Sequence, residues 1–269
     1  MLTKDIAICI RVVDYSETSQ IVTFFTRANG KISTIAKGSK RPKSVFDGPI
    51  EILSSGKIVF SDSSKEKLAT LTEFEQQPGF ARLGRSLFAL NCASFAAELV
   101  NRLTDDYDPH PGLFDSFVQF LQSASEHRTS SIEHREMLSL LLLFQLTLLK
   151  EIGLQPVLSC CANCKTRYEI RDTPAAAGAG LPPRKRGYEL YFSSSANGLV
   201  CRDCEGSFPD RIRLTKNAAG CLANLRLLAQ SDEKTLSEIE KVLISHIISL
   251  LGRPLRMTKQ MLKNLNCRM

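Results

Sequence analysis

The sequence predicts an α+β protein: an N-terminal five-stranded barrel, then an all-helical domain, with a zinc-knuckle module inserted before the C-terminal helices. Three observations predict it. Residues 1–75 are rich in β-branched and aromatic residues between turn signals. After Pro78-Gly79 the apolar period lengthens to that of helices. Two Cys-x-x-Cys pairs then follow, with 36 residues between them. Period two marks half-buried strands, period 3.6 marks helices, and paired cysteines mark a metal site.

The strands are expected over 5–13 ("DIAICIRVV"), 19–27 ("SQIVTFFTR"), 31–38 ("KISTIAKG"), 50–61 ("IEILSSGKIVFS") and 67–75 ("KLATLTEFE"). Asn29-Gly30 separates the second from the third, a hairpin signal. Five short strands fit a small closed barrel. An OB-fold is the commonest of these, and an SH3-like barrel has a similar pattern.

Helices are expected over 82–103, 113–124 and 133–153, the last stopped by Gly153 and Pro156. Cys92, inside the first, reads as a core residue. From 213 the chain turns helical again, over 213–230, 235–252 and 256–265. Thr235, with Glu238 three residues on, reads as a capping box. The resulting organisation is a barrel domain (1–78), a helical domain (79–158 and 209–269), and a cysteine module (159–208). The Pro, Gly and Ala of 172–187 read as a flexible insertion in that module.

A chain of 269 residues, 43% hydrophobic, can bury a sizeable core. Its net charge of +7 points to an acidic partner, and the excess gathers toward the two ends of the chain. The most apolar run, "MLSLLLLFQLTLL" (137–149), is too short to span a bilayer and suits a buried helix. Met1-Leu2-Thr3-Lys4-Asp5 does not begin a leader peptide, so a cytoplasmic, nucleoid-associated protein with no membrane partner is expected. Nine cysteines, an odd number, favour metal ligation over a disulfide framework.

"CCANC" (160–164) and "CRDC" (201–204) carry the sharpest chemistry. Each Cys-x-x-Cys can wrap a tight turn around one metal, and two together complete a tetrahedral site. Cys161, Cys164, Cys201 and Cys204 are the expected ligands of one structural Zn²⁺ per chain, with Cys160 the alternative to Cys161. Four protein thiolates leave no open position for catalysis.

Three stretches together resemble the family of bacterial RecO recombination mediators. They are "YSETSQIVTFFTRANGKISTIAKGSKRPKS" (15–44), "LLKEIGLQPVLSCCANC" (148–164) and "GLVCRDC" (198–204). The resemblance implies an N-terminal OB-fold, binding of single- and double-stranded DNA, and annealing of complementary strands. It also implies RecR and the single-stranded-DNA-binding protein as partners, and RecA indirectly, since the family helps load RecA on gapped DNA. The insertion at 172–187 and the extra Cys160 depart from the family pattern.

Residues 30–44 hold Lys31, Lys37, Lys40, Arg41 and Lys43 and no acid. The last four are spaced too irregularly for one strand face, which suits a flexible loop touching successive phosphates on a barrel rim. Pro42 restricts that loop, and Gly38 lets its backbone turn. Lys31, Arg27 and Arg11 are supporting DNA-binding candidates. Phe24 and Phe25 point to opposite faces of a strand, so at least one belongs to the core. Arg256, Lys259 and Lys263 share one face of the last helix, a second basic surface, and "RKR" (184–186) offers an accessory one. His110, His127, His134 and His246 are scattered and form no cluster.

No phosphate-binding glycine loop, nucleophile elbow or zinc-protease motif is present in the sequence. A non-enzymatic mediator is therefore the leading expectation. The alternatives are a nucleic-acid-processing enzyme with a structural zinc ribbon and an unrecognised active site, and an adaptor that contacts proteins only.

Overall fold

The computed structural model describes residues 2–46, 48–61, 68–77, 80–126, 131–168 and 189–266. The expected insertion at 172–187 and its "RKR" lie outside them, as does His127.

Five strands close into a barrel: β1 (Leu2–Asp14), β2 (Gln20–Thr26), β3 (Gly30–Ala36), β4 (Ser55–Ser61) and β5 (Ala69–Gln77). Their order is β1-β2-β3-β5-β4, with β4 returning to β1. All pairings are antiparallel except the short parallel one between β3 and β5 that closes the barrel. The closed five-stranded barrel is the expected OB architecture.

Inward side chains from every strand fill the interior, among them Cys9, Val22, Phe24, Ile32, Ile58, Phe60, Leu71 and Phe74. Phe24 meets Phe74 edge-on, with ring centroids 5.4 Å apart. Strand β2 is buried on both faces, because outward-pointing Phe25 packs on Phe114 at 5.9 Å. Both phenylalanines are therefore core, and neither is available to stack on a base.

The β2–β3 hairpin departs from a two-residue Asn-Gly turn. Thr26 pairs with Gly30, so the loop is Arg27-Ala28-Asn29, and Gly30 takes φ +71° as the left-handed residue that follows such a loop. A Cβ at Gly30 would also collide with the backbone of Asp108. Asp5 locks the turn by accepting from the backbone N–H of Ala28 and Asn29 and from Asn29 Nδ2 (2.7 Å).

The first helical stretch begins later than expected. Residues Ala81–Arg85 form a 3₁₀ turn, and α1 (Leu87–Leu103) starts after Ser86, whose side chain accepts from the Ala89 N–H. Serine competes for backbone donors inside a helix but satisfies one at its start. Next come α2 (Pro111–Glu126) and α3 (Ser131–Glu151), joined through Phe117 and Phe120 against Phe144. Alanines at 89, 93, 96 and 97 are buried in α1, and Cys92 with them, as expected of a central helix. No helix among the described residues is long and apolar enough to cross a membrane.

The chain divides into two compact units: residues 1–154 with 254–269, and residues 155–253. In the second, β6 (Leu190–Ser193), β7 (Gly198–Cys201) and β8 (Ile212–Arg213) form a sheet in the order β7-β6-β8. Helices α4 (Lys216–Ala223) and α5 (Glu233–Leu251) belong to the same unit, and His246 of α5 meets Phe192 of β6 edge-on at 5.2 Å. Helix α6 (Thr258–Asn266) belongs to the first unit, where it packs on α1.

The capping expected of Thr235 is corrected. Asp232 caps α5, accepting from the Thr235 N–H at 2.9 Å. Glu238 instead accepts from the backbone N–H and hydroxyl of Thr215, both at 2.7 Å, and Thr215 caps α4. A carboxylate three residues upstream supplies a charged acceptor to the helix start, which frees Glu238 for a tertiary partner.

Candidate nucleic-acid interface and metal centre

The basic loop follows β3 on the barrel rim, and its backbone is pinned. Ser39 is fully buried and donates to Gln20 Oε1 at 3.0 Å. The same Gln20 side chain accepts from the Ile50 N–H and donates to the Ile50 carbonyl. Gly38, at φ +73°, donates to Ser19 Oγ, and the Arg41 N–H closes a turn on the Gly38 carbonyl. The expected flexible loop is therefore a held turn. A buried polar side chain must find partners, and Ser39 finds them in the barrel wall.

From this turn Lys37, Arg41 and Lys43 are exposed. Lys40 leans back along the barrel to pair with Asp14 at 3.0 Å and is half-buried.

Lys31 is placed elsewhere. Its ammonium donates to the Asn101 carbonyl (3.0 Å) and the Thr104 carbonyl (2.6 Å), and pairs with Asp106 at 3.3 Å. Its side chain is only 13% exposed. Two of the lysine's three N–H groups are thus spent on the C-terminal end of α1, where a cation also meets the negative end of the helix dipole, and the third faces Asp106 just beyond it. None remains for a phosphate. Arg27 makes a bidentate pair with Asp115, both contacts 2.9 Å, and holds that carboxyl below its usual range. Arg11 is exposed on β1, just past a bulge between Cys9 and Arg11. Arg256, Lys259 and Lys263 are all exposed. The signal missed in the sequence was Arg102, which the fold brings beside Arg11 and Arg256.

In the second unit the thiols of Cys161, Cys164, Cys201 and Cys204 all lie within 4.8 Å of one another. Cys160 stands outside this group, its backbone bridging to Arg167. Strand register explains the choice. Ala162 donates to the Leu199 carbonyl, Val157 and residues 197–199 exchange backbone bonds, and Cys161 Sγ is thereby aimed at the Cys201 N–H. Gly198 permits this approach, since a Cβ there would collide with the Val157 carbonyl.

The donor set fits a tetrahedral ion. Zn–S bonds of about 2.3 Å imply sulfur–sulfur edges of about 3.8 Å, and Cys164 and Cys201 stand 3.7 Å apart. The thiols divide their protons unevenly. Hydrogen bonding from Thr166 draws Cys164 down to about 6, whereas burial and the neighbouring thiols of Cys204 and Cys161 push Cys201 up to about 12. Cys161 is lowered despite its burial, by the backbone N–H groups of Cys201, Cys164 and Asn163. Thiolates are what a metal needs, and four of them on one ion make a structural centre.

Comparisons with known proteins agree along the chain. Residues 1–79 match the family model "Recombination protein O N terminal", and residues 84–259 match "Recombination protein O C terminal". A protein of Rhodopirellula baltica named DNA repair protein RecO is 32% identical over 234 residues, covering 87% of this chain and 77% of its own. Proteins of the same name from Halalkalibacterium halodurans and Bacillus subtilis are 29% and 28% identical, covering 89% and 93% of this chain and 82% and 88% of theirs.

Proposed function

Because the chain belongs to the RecO family of DNA repair proteins, we propose that it is a non-enzymatic mediator that binds DNA and anneals complementary strands. It acts with RecR to help load RecA on single strands covered by the single-stranded-DNA-binding protein. The observation that carries the reading is the basic turn at 37–43, fixed by Ser39 and Gln20 so that Lys37, Arg41 and Lys43 face solvent together. A fixed cationic turn meets a phosphate backbone with little ordering cost and leaves the bases free to pair. Lys40 ties the turn to β1 through Asp14. The four-thiol centre holds one structural Zn²⁺ on Cys161, Cys164, Cys201 and Cys204 and takes no part in chemistry.

The test is DNA affinity across a salt series, with annealing of complementary oligonucleotides, for the protein and a variant with Lys37, Lys40, Arg41 and Lys43 changed to Ala. Each lost phosphate contact flattens the log–log slope by about 0.7 on single strands. Annealing falls with affinity, and the melting temperature holds. A folded variant with unchanged slope and annealing would overturn the reading. Cleavage of DNA with Mg²⁺, or ATP turnover, would replace it with the enzyme.

A further inference from the structure

We propose that a groove rimmed by Arg11, Arg102 and Arg256 carries one nucleic-acid strand from the basic turn to the last helix, joining two basic surfaces into one track. The inference rests on the DNA-binding reading above and extends it to residues far apart in the chain. The groove lies between β1, α1 and the segment entering α6, and encloses about 230 Å³. That is below the roughly 300–1,000 Å³ of small-molecule sites, and it is open, as suits one point along an extended ligand.

Its chemistry selects an anion with an apolar part. Among the described residues none of the three guanidinium groups is in a salt bridge. The one carboxylate in the groove is already committed: the two oxygens of Glu98 accept from the backbone N–H of Arg256 and of Met257, each at 2.8 Å. Glu98 thus fixes the arginine-bearing segment against α1. The floor is apolar, with Val13 39% and Ile52 46% exposed beside Met257. Guanidinium groups grip phosphate oxygens in pairs, and an apolar floor covers a sugar or base face.

Continuity identifies the occupant as a nucleic-acid strand. Arg11 and Asp14 lie on one strand, three residues and about 10 Å apart, and Asp14 holds Lys40 of the basic turn. At the other end Arg256 leads directly into α6, where Lys259 and Lys263 are exposed. Among the described residues, unpaired cations therefore stand at both ends of the path and along the groove, with the Lys40–Asp14 pair the one neutral step between Arg11 and the turn.

The experiment compares the full chain with two groove variants, Arg11, Arg102 and Arg256 all changed to Gln or all changed to Lys, and with the turn variant above. The probe is a single-stranded oligonucleotide of about 16 nucleotides, the upper site size for one OB-fold, titrated across a salt series. The Gln variant should bind more weakly, with a slope lower by about 2, and the Lys variant should keep most of the slope. A thiothymidine strand should cross-link the peptide containing Met257 in the unmodified protein, a readout that needs no variant. A folded Gln variant with unchanged slope and affinity, or no cross-link there, overturns the groove while the turn variant's loss leaves the DNA reading standing. If the unmodified protein shows no salt-dependent DNA affinity, the broader reading falls first.

Discussion

The two compact units hold themselves together by different means. In the first, a closed barrel surrounds a dry interior in which Phe24, Ile32, Ile58 and Phe60 are all essentially inaccessible. In the second, the strands are short, and four thiols gather where their ends meet the turn at 161–164. A barrel has no edges to protect and derives its uniqueness from packing. The strands of the second unit are short but buried, with Phe192, Leu199 and Val200 all at 0% exposure, and the four-thiol cluster beside them is close enough to hold a metal ion, whose binding energy would add to that core. The lesson is that damage should stay in the unit where it is made.

The sharpest way to break this contrast is Cys201→Ser. Loss of a thiolate should release metal and loosen residues 190–213, since apparent zinc-binding energies of about 10–16 kcal/mol are folding energy in such sites. Amides of β2 and β3 should keep their hydrogen-exchange protection. Metal analysis with exchange mass spectrometry checks both halves, and full metal retention would refute the ligand set.

Phe24→Ala is the mirror experiment. It removes a ring from the barrel centre and should cost about 3–5 kcal/mol, read by denaturant melting of the first unit, with metal content unchanged.

Smaller, and within the first unit alone, are the two lysines at the ends of β3. Lys31→Met strips the donors from the carbonyls of Asn101 and Thr104 and should cost about 2 kcal/mol, while the salt slope of DNA binding stays constant. Lys37→Met should leave stability within about 0.5 kcal/mol and lower the slope by about 0.7. Reversed outcomes would show that burial does not separate structural from functional charge here.

The gentlest effect is a pH tilt in the second unit. Burial holds the His246 imidazole below its ordinary value near 6.5, with Asp210 opposing that shift. The unfolded chain therefore binds the proton more readily, so stability is intact above about pH 6.5 and declines as pH falls below it. Melting of the unmodified protein against His246→Leu between pH 7.5 and about 5.5 isolates this slope from protonation of the cysteines, which both proteins share.

Local pattern made much of this legible. The five strands follow from alternating residues, and the four-cysteine cluster follows from paired Cys-x-x-Cys spacing, because both signals are set by neighbours in the chain. Turn and cap details were less legible. The Asn29-Gly30 signal marks a hairpin, but Asp5 from another strand helps set its form. Thr235 has the letters of a cap, yet Asp232 takes that place and Glu238 bonds across to Thr215.

By itself the sequence determined the barrel, the helices, the four-thiol centre and the excess of positive charge, all of which are written in spacing and composition. Only the tertiary structure decided what each charge does. Lys31 and Lys37 lie in one basic stretch, but a long-range contact with the end of α1 consumes the first, and among the described residues no such contact engages the second. Arg11, Arg102 and Arg256 are distant in sequence and become one rim only when β1, α1 and α6 pack. The physical reason is that charge is a property of a residue, whereas its partner is a property of the fold, and a cation's function depends on whether that partner is already present.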